Sequence, residues 1–430
     1  MKEPGRSSMT EAGRSGPTEA GRSGLTGAGR SGLTGTGRSD LLRLTLARAC
    51  AWALLVAGWV GIGSLALLLA PSTSHAFALV ALWLLALGAA ATVATRGGSR
   101  TWLRSGALLG VAALSCAGLW LAVNGGSMPA LLLALAGWAA LTALASGVVR
   151  GLRLAQTAVA TPPVAAAALG ALGAGLVLGD PGDLRALALR LALFVAAAAL
   201  LLVVLQSRLE AQRRAPGCRA GLFDCSLPAW PAGAWREPLN WPMLLAGLAM
   251  LPMMAALPLM ADWCRAEAVA PQLMVMLHLA AMFGPALLLQ RSIAGWSPRT
   301  LSIVCTALLA SGAAWVVWAP APLDLLGLAA AHGAAWGLAW AGQLWAPARR
   351  GAQGVSPLYA AAGYAVLTLA FGLVVEHFGA RGVAATHLAL AGVAMLAWLL
   401  HAALGSRARE LGAAIPAQAA PPPEDQGLER

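Results

Sequence analysis

The chain has 430 residues, 59% of them hydrophobic, and a mean hydropathy of +0.72. Soluble globular domains are about half apolar with far more charge, so composition excludes a soluble protein. The net charge of +12 does not indicate nucleic acid, because the basic residues are scattered over short loops between apolar runs.

Residues 1–48 contain an eight-residue repeat over 10–41, first as Thr10-Glu-Ala-Gly-Arg-Ser-Gly-Pro17 and then from Thr18, Thr26 and Thr34. Gly, Ser and Arg dominate it and no apolar face recurs, so a disordered tail is expected. Its arginines suit anionic lipid headgroups, and a dispensable tail is the alternative. Twelve apolar runs follow, each about twenty residues and so about the 30 Å of a hydrocarbon core. They cover 49–70, 76–95, 105–123, 128–149, 157–178, 186–206, 241–262, 269–290, 300–319, 324–346, 357–375 and 383–404. The expected fold class is an all-α membrane protein with twelve transmembrane helices. The only long internal loop, 207–240, divides them into a six-helix bundle over 49–206 and another over 241–404. Residues 405–430, with Pro421-Pro-Pro423, read as a second disordered tail.

Charges sort by alternate loops. Arg96, Arg100 and Arg104, then Arg150 and Arg153, Arg208 to Arg236, Arg291 and Arg299, and Arg349 and Arg350 share one side. Asp180, Asp183, Asp262, Glu267, Asp324 and Glu376 share the other, where Arg185, Arg265 and Arg381 never outnumber the acids. The positive-inside rule then places both termini and the central loop in the cytoplasm, with the chain in the inner, or plasma, membrane. Cys50, Cys116 and Cys305 fall within spans, Cys218 and Cys225 in the central loop, and only Cys264 at the outer face, so no disulfide framework is expected. No cleavable signal peptide is expected either, since the first apolar run is long and starts late.

The chemistry concentrates on the seventh and eighth spans. Met250-x-x-x-Met254 and His278-x-x-x-Met282 each put two soft donors one above the other on a helix face. The spans run antiparallel, so Met254 falls level with His278 and Met250 level with Met282. Thioether and imidazole suit monovalent copper rather than calcium or magnesium. Met260, Cys264 and Met274 extend the pattern outward as accessory positions, and His332 lies at a depth like that of Met254. The competing reading is packing, because methionine fills apolar cores. A histidine at mid-bilayer, however, is costly without a partner.

Two resemblances bear on this pattern. Six plus six spans, both termini inside and a long middle loop resemble the major facilitator superfamily. Thr95-Arg-Gly-Gly-Ser-Arg100 is similar to that superfamily's loop after the second span, with Arg96, Gly98 and Arg100 at matching places as a cytoplasmic gating loop. Thr95 and Ser99 depart from it, and Gln290 to Arg299 is a weaker echo. The resemblance implies two bundles around a cavity lined by the first, fourth, seventh and tenth helices, with the eighth close by. Met254-Ala-Ala-Leu-Pro-Leu-Met260 and His278-Leu-Ala-Ala-Met282-Phe-Gly-Pro285 resemble the paired motifs of the CcoA-like copper importers. This implies Met250, Met254, His278 and Met282 as ligands of transported copper, which would supply cytochrome oxidase assembly. It also raises a cytoplasmic copper acceptor as a partner. The tenth span, His332-Gly-Ala-Ala-Trp336-Gly-Leu-Ala-Trp340-Ala-Gly-Gln343, departs from those relatives by lacking an asparagine.

Other chemistries find little support. His387 and His401 are fourteen apart, as in haem-binding helices, but no second helix carries a matching pair. Cys218 and Cys225 lack a metal-binding spacing. No phosphate-binding loop is present, and no acid lies deep in a span to carry protons. An enzyme is not expected, nor a resident cofactor, since copper enters only as substrate. The open alternatives are a carrier of an organic solute such as riboflavin, with the methionines as apolar wall, and a non-transporting oxidase-assembly factor. The topology is testable with single cysteines in a cysteine-free background: an impermeant external reagent should label Ser72→Cys and Asp324→Cys but not Gly97→Cys or Gly351→Cys. The opposite pattern reverses the orientation.

Overall fold

The computed structural model describes residues 35–96, 101–125, 127–153, 161–178, 183–207, 241–265, 271–289, 292–293, 295–318, 321–345 and 357–414. The chain divides into two units, Met1–Leu44 and Thr45–Arg430. In the first, the described residues 35–44 are helical. All that follows concerns the second.

The eleven long helices are α1 (Gly35–Leu69), α2 (Thr73–Arg96), α3 (Thr101–Gly125), α4 (Met128–Arg153), α5 (Thr161–Leu178), α6 (Leu184–Ser207), α7 (Trp241–Arg265), α8 (Pro271–Leu288), α9 (Pro298–Trp318), α10 (Pro322–Trp345) and α11 (Pro357–Ala414). Local chemistry sets their starts. Proline opens α8, α9, α10 and α11, where its missing N–H is no loss. The Ser297 hydroxyl accepts the Thr300 N–H at 3.1 Å, and Asp183 accepts the Ala186 N–H at 3.4 Å, as N-caps. Pro252 and Pro258 lie inside α7 and Pro285 inside α8, where each removes a backbone bond.

α11 holds the last two expected spans as two helical segments that meet at a kink. Its helical backbone continues through the residues expected to link them and breaks at Gly379 (φ 55, ψ −137), which only glycine adopts without strain. The Phe371 and His387 rings lie 6.2 Å apart. Sixteen residues of straight helix would separate them by about 24 Å. The chain therefore doubles back at Gly379 into two antiparallel arms. At the other end, α1 starts at Gly35 rather than at 49, so residues 35–48, expected to be disordered, are helical. Helix α11 likewise runs past 404 to Ala414. The repeat over 10–34, most of the 207–240 loop and residues 415–430 lie outside the described residues.

Seven segments among the described residues are long and apolar enough to cross a bilayer, and three shorter apolar stretches lie in α5, α7 and α8. These stand against the twelve predicted spans. One of the seven, Leu358–Leu400, carries both arms of α11. Leucines such as Leu169, Leu189, Leu193 and Leu200 point outward, as do Trp120, Trp315 and Trp318 near one end of the bundle. A surface so apolar, edged with tryptophan, faces lipid. Polar side chains turn inward: Ser64, Ser115, Thr142, His278, His332, Thr368 and His387 are buried.

Helices pack within each half, α4 on α2 and α3 in the first, α10 on α7, α8 and α9 in the second. Between halves, α2 lies against α11 and α5 against α8. Helix α1 is the centre of the assembly, with Ala51 to Ala57 all buried. It receives the Trp138 indole N–H of α4 on the Leu54 carbonyl at 3.0 Å. Helix α10 crosses α8 at very close range. A side chain at Gly333 would meet the His278 carbonyl, and one at Gly337 the Met282 carbonyl. Gly333-x-x-x-Gly337 lets the two backbones touch, the usual means of tight packing where lipid provides no hydrophobic drive.

Gly337→Ala should therefore lower stability in detergent by about 1–3 kcal/mol through overpacking. Gly327→Ala, on the same helix with open space around it, should be neutral or slightly stabilising. Thermal melts of the two variants measure the contrast.

Candidate functional site in the second half

The contact of α8 with α10 turns the His278 side chain onto α10. Its Nδ1 lies 2.7 Å from the Ala329 carbonyl. A carbonyl only accepts, so Nδ1 carries the proton and Nε2 is left with a lone pair. That Nε2 is buried and has no hydrogen-bond partner. A metal-binding histidine commonly has this arrangement, one nitrogen anchored on a carbonyl and the other free.

A second histidine stands beside it. The His278 and His332 rings are 5.9 Å apart, and His332 bonds through Nδ1 to Nε2 of His387 on the second arm of α11. The His387 Nδ1 lies 2.7 Å from the Val383 carbonyl. By the same logic His387 is protonated at Nδ1, its Nε2 accepts, and His332 donates from Nδ1. The His332 Nε2 is then a second buried atom without a hydrogen-bond partner. All three imidazoles are fully buried. An unsatisfied buried acceptor costs about 1–3 kcal/mol. Two of them side by side mark an interior arranged for something other than stability.

Met250, Met254 and Met282, with Met253, Met260 and Met274, are buried in the same half. Of the four candidate copper ligands, the structure anchors His278 on α10 rather than on α7, and it buries the other three. The expected pairing of levels between α7 and α8 is thus complicated by α10, which packs on both helices. His332, expected only as an accessory, stands next to His278. Among the described residues no group of three or more His, Cys, Asp and Glu is arranged to hold a metal ion. The Cys264 and Arg96 side chains, Gly98 and Arg100 lie outside the described residues. Cys50, Cys116 and Cys305 are free thiols, and Cys305 donates to the Ala335 carbonyl at 3.3 Å.

His387 is the member that sequence reasoning missed. It was legible only as an expensive polar group in an apolar span. Its partner His332 lies on another helix, and the meeting depends on the turn at Gly379. A cavity of about 120 Å³ between α7 and the two arms of α11 has His387, Phe371, Pro252 and Thr386 in its wall.

Two closures flank the histidines. At one end Trp52 of α1 meets Phe283 of α8 at 5.5 Å and Trp336 and Trp340 of α10 at 6.1 and 5.7 Å, edge to face. Trp336 and Trp340 stack at 5.5 Å. Such contacts add about 0.5–1.5 kcal/mol each beyond burial. At the opposite end Glu376 accepts the Ser74 backbone N–H at 2.7 Å and the Ser72 hydroxyl at 3.3 Å, tying the first turn of α2 to α11. A carboxylate at a helix N-terminus is favoured by the dipole.

No protein-family model and no curated protein matches the chain. Solved structures do. The nucleoside transporter NupG superposes with a TM-score of 0.54 at 13% identity, covering 85% of this chain and 98% of that one. A point variant of NupG gives 0.53 at 16% identity, covering 85% and 99%. The human organic anion transporter MFSD10 gives 0.44 at 15% identity, covering 84% and 98%. The fold is therefore the one shared with NupG, while the copper-importer branch finds no support among these neighbours.

Trp52→Ala should lower stability by about 3–5 kcal/mol. It should also expose Cys50, now buried and donating to the Ala198 carbonyl at 3.6 Å. Maleimide labelling of a variant retaining only Cys50 should accelerate in Trp52→Ala relative to Trp59→Ala, which lies outside the four-ring cluster.

Proposed function

We propose that this protein is a secondary transporter that carries a small organic solute across a membrane by alternating access, holding it among α7, α8, α10 and α11. The observation that carries this reading is the fold shared with NupG along nearly the whole length of both chains. An interior of apolar and aromatic walls with few polar groups is also the usual character of a small-molecule site. The reading has the chain crossing the inner membrane twelve times with both termini in the cytoplasm. It needs no catalysed step.

Alternating access asks the two halves to rock about the substrate. Opening one end breaks the contacts of Trp52 with α8 and α10, and opening the other breaks the bonds of Ser72 and Ser74 to Glu376. Both are small contacts between helices of different halves, suited to being made and lost in turn.

A second reading, import of Cu(I), is favoured by one observation: the buried His278 Nε2 without a hydrogen-bond partner, in a half whose methionines are also buried. In that reading Met250, Met254, His278 and Met282 bind the ion, and a cytoplasmic acceptor receives it. Uptake into vesicles separates the two, using labelled uridine, riboflavin and, under reducing conditions, radioactive copper. Saturable uptake of an organic solute, untouched by excess copper, supports the first reading. Copper uptake lost in His278→Ala and Met254→Leu but kept in Met253→Leu supports the second. Met→Leu roughly conserves volume and should cost under about 1.5 kcal/mol, so the loss would be one of binding rather than folding. Uptake of none of these, nor of any member of a wider solute panel, overturns the transporter reading.

A further inference from the structure

We infer that His278 and His332 act as a pair that recognises the substrate through two unprotonated Nε2 atoms, and that His387 is the positioning residue that sets His332 in that state. The inference rests on the transporter reading for the word substrate, but its geometry stands without it.

Each neutral imidazole has one N–H and one lone pair. In an interior as apolar as this one, a charged imidazole would be expensive, so all three rings are read as neutral. The carbonyls of Ala329 and Val383 accept only, and they fix the protons of His278 and His387 on Nδ1. Nε2 of His387 is then an acceptor, and the bond from His332 requires that Nδ1 of His332 be the donor. One neutral assignment satisfies these three bonds together. It leaves two lone pairs, on Nε2 of His278 and Nε2 of His332, buried and without a hydrogen-bond partner.

Packing maintains this arrangement. Gly333 follows His332 and lies against the His278 carbonyl, so the same glycine that brings α10 onto α8 brings the two rings to 5.9 Å. His387 reaches His332 only because α11 turns at Gly379. Its ring centre is 4.7 Å from that of His332, and Phe371 of the first arm packs on its other side at 6.2 Å. The Ala246 carbonyl also faces the His332 ring, so without His387 the proton could settle on either nitrogen, and half of the pair would be lost to the wrong tautomer.

Two lone pairs with no donor between them select by chemistry. They refuse an anion or a bare acceptor and take a group that accepts electron pairs. That group is either the N–H and O–H groups of an uncharged solute or a soft monovalent cation. Imidazole nitrogens about 2 Å from a shared ion have ring centres at most roughly 6 Å apart, so the observed spacing is within reach of one ion.

The test uses the full chain in nanodiscs, labelled with ¹⁵N-histidine, because nitrogen chemical shifts report which ring nitrogen carries the proton. Silver(I), which does not change oxidation state here, serves as the soft-cation probe. The expected result is Nδ1–H on His278, His332 and His387 in the wild type. His387→Leu should give a mixed tautomer at His332 with His278 unchanged. His387→Asn, whose amide oxygen still accepts, should restore Nδ1–H. If the source is a soft cation, one silver ion shifts both His278 and His332, and affinity falls about 10–100-fold in His387→Leu but little in His387→Asn, the range for a residue that orients a ligand. If the source is an uncharged solute, silver moves neither ring, and the solute found in uptake assays moves both. The inference is overturned if His332 carries its proton on Nε2 in the wild type. It is equally overturned if His387→Leu leaves the His332 signal unchanged, or if neither silver nor any panel solute moves both rings. Failure of uptake with the tautomers as expected and both rings moved by silver would instead count against the transporter reading and leave the paired site standing.

Discussion

The close approach of α10 to α8 is the contact on which the rest of the second half depends. In a bilayer, helices gain nothing by hiding apolar surface from lipid that is equally apolar. Association then relies on van der Waals contact and on polar groups satisfying one another. Gly333 and Gly337 supply the first by letting the α10 backbone rest on the carbonyls of His278 and Met282. The bond from His278 to the Ala329 carbonyl supplies the second, one turn away along the same crossing. Helix α10 in turn carries His332, and His332 meets the second arm of α11. Three helices are thereby joined through one seam.

The seam also explains why the interior can hold polar groups at all. A buried histidine in an apolar span is normally compensated by a partner for each ring nitrogen. Here four of the six ring nitrogens are compensated: Nδ1 of His278 and both nitrogens of His387 by bonds, and Nδ1 of His332 by donating to His387. The remaining two form a small patch of acceptor character. Elsewhere in the core, Thr142 and Ser146 close on their own helix, and Ser115 and Trp138 bond to carbonyls of neighbouring helices. The histidines differ in that two of them keep a buried ring nitrogen without a hydrogen-bond partner.

The paired closures give that patch a setting. Aromatic rings from α1, α8 and α10 interlock at one end, and a carboxylate of α11 caps α2 at the other. Each joins a helix of the first half to a helix of the second. Both consist of separable contacts, ring edges on faces and two hydrogen bonds, unlike the backbone-on-backbone seam of α8 and α10. The molecule thus combines a backbone-on-backbone contact within one half with side-chain contacts between halves.

The sequence by itself determined that the chain is an all-α membrane protein, where most of its helices lie, and that His278 is a polar group in an apolar span. These follow from composition, from apolar runs of bilayer length and from the cost of a histidine in lipid, all of which are local properties. It placed the helix starts well wherever proline or a capping serine stood. Helix α1 starts ahead of the apolar run, because helical propensity carried the backbone through Arg43-Leu-Thr-Leu46. Only the tertiary structure decided that His278 turns to α10, that His332 stands beside it, and that His387 completes the set. Those three residues belong to helices distant in sequence, and their meeting depends on two glycine contacts and one left-handed glycine. Periodicity along one helix reports which residues share a face; it does not report which neighbouring helix that face will meet.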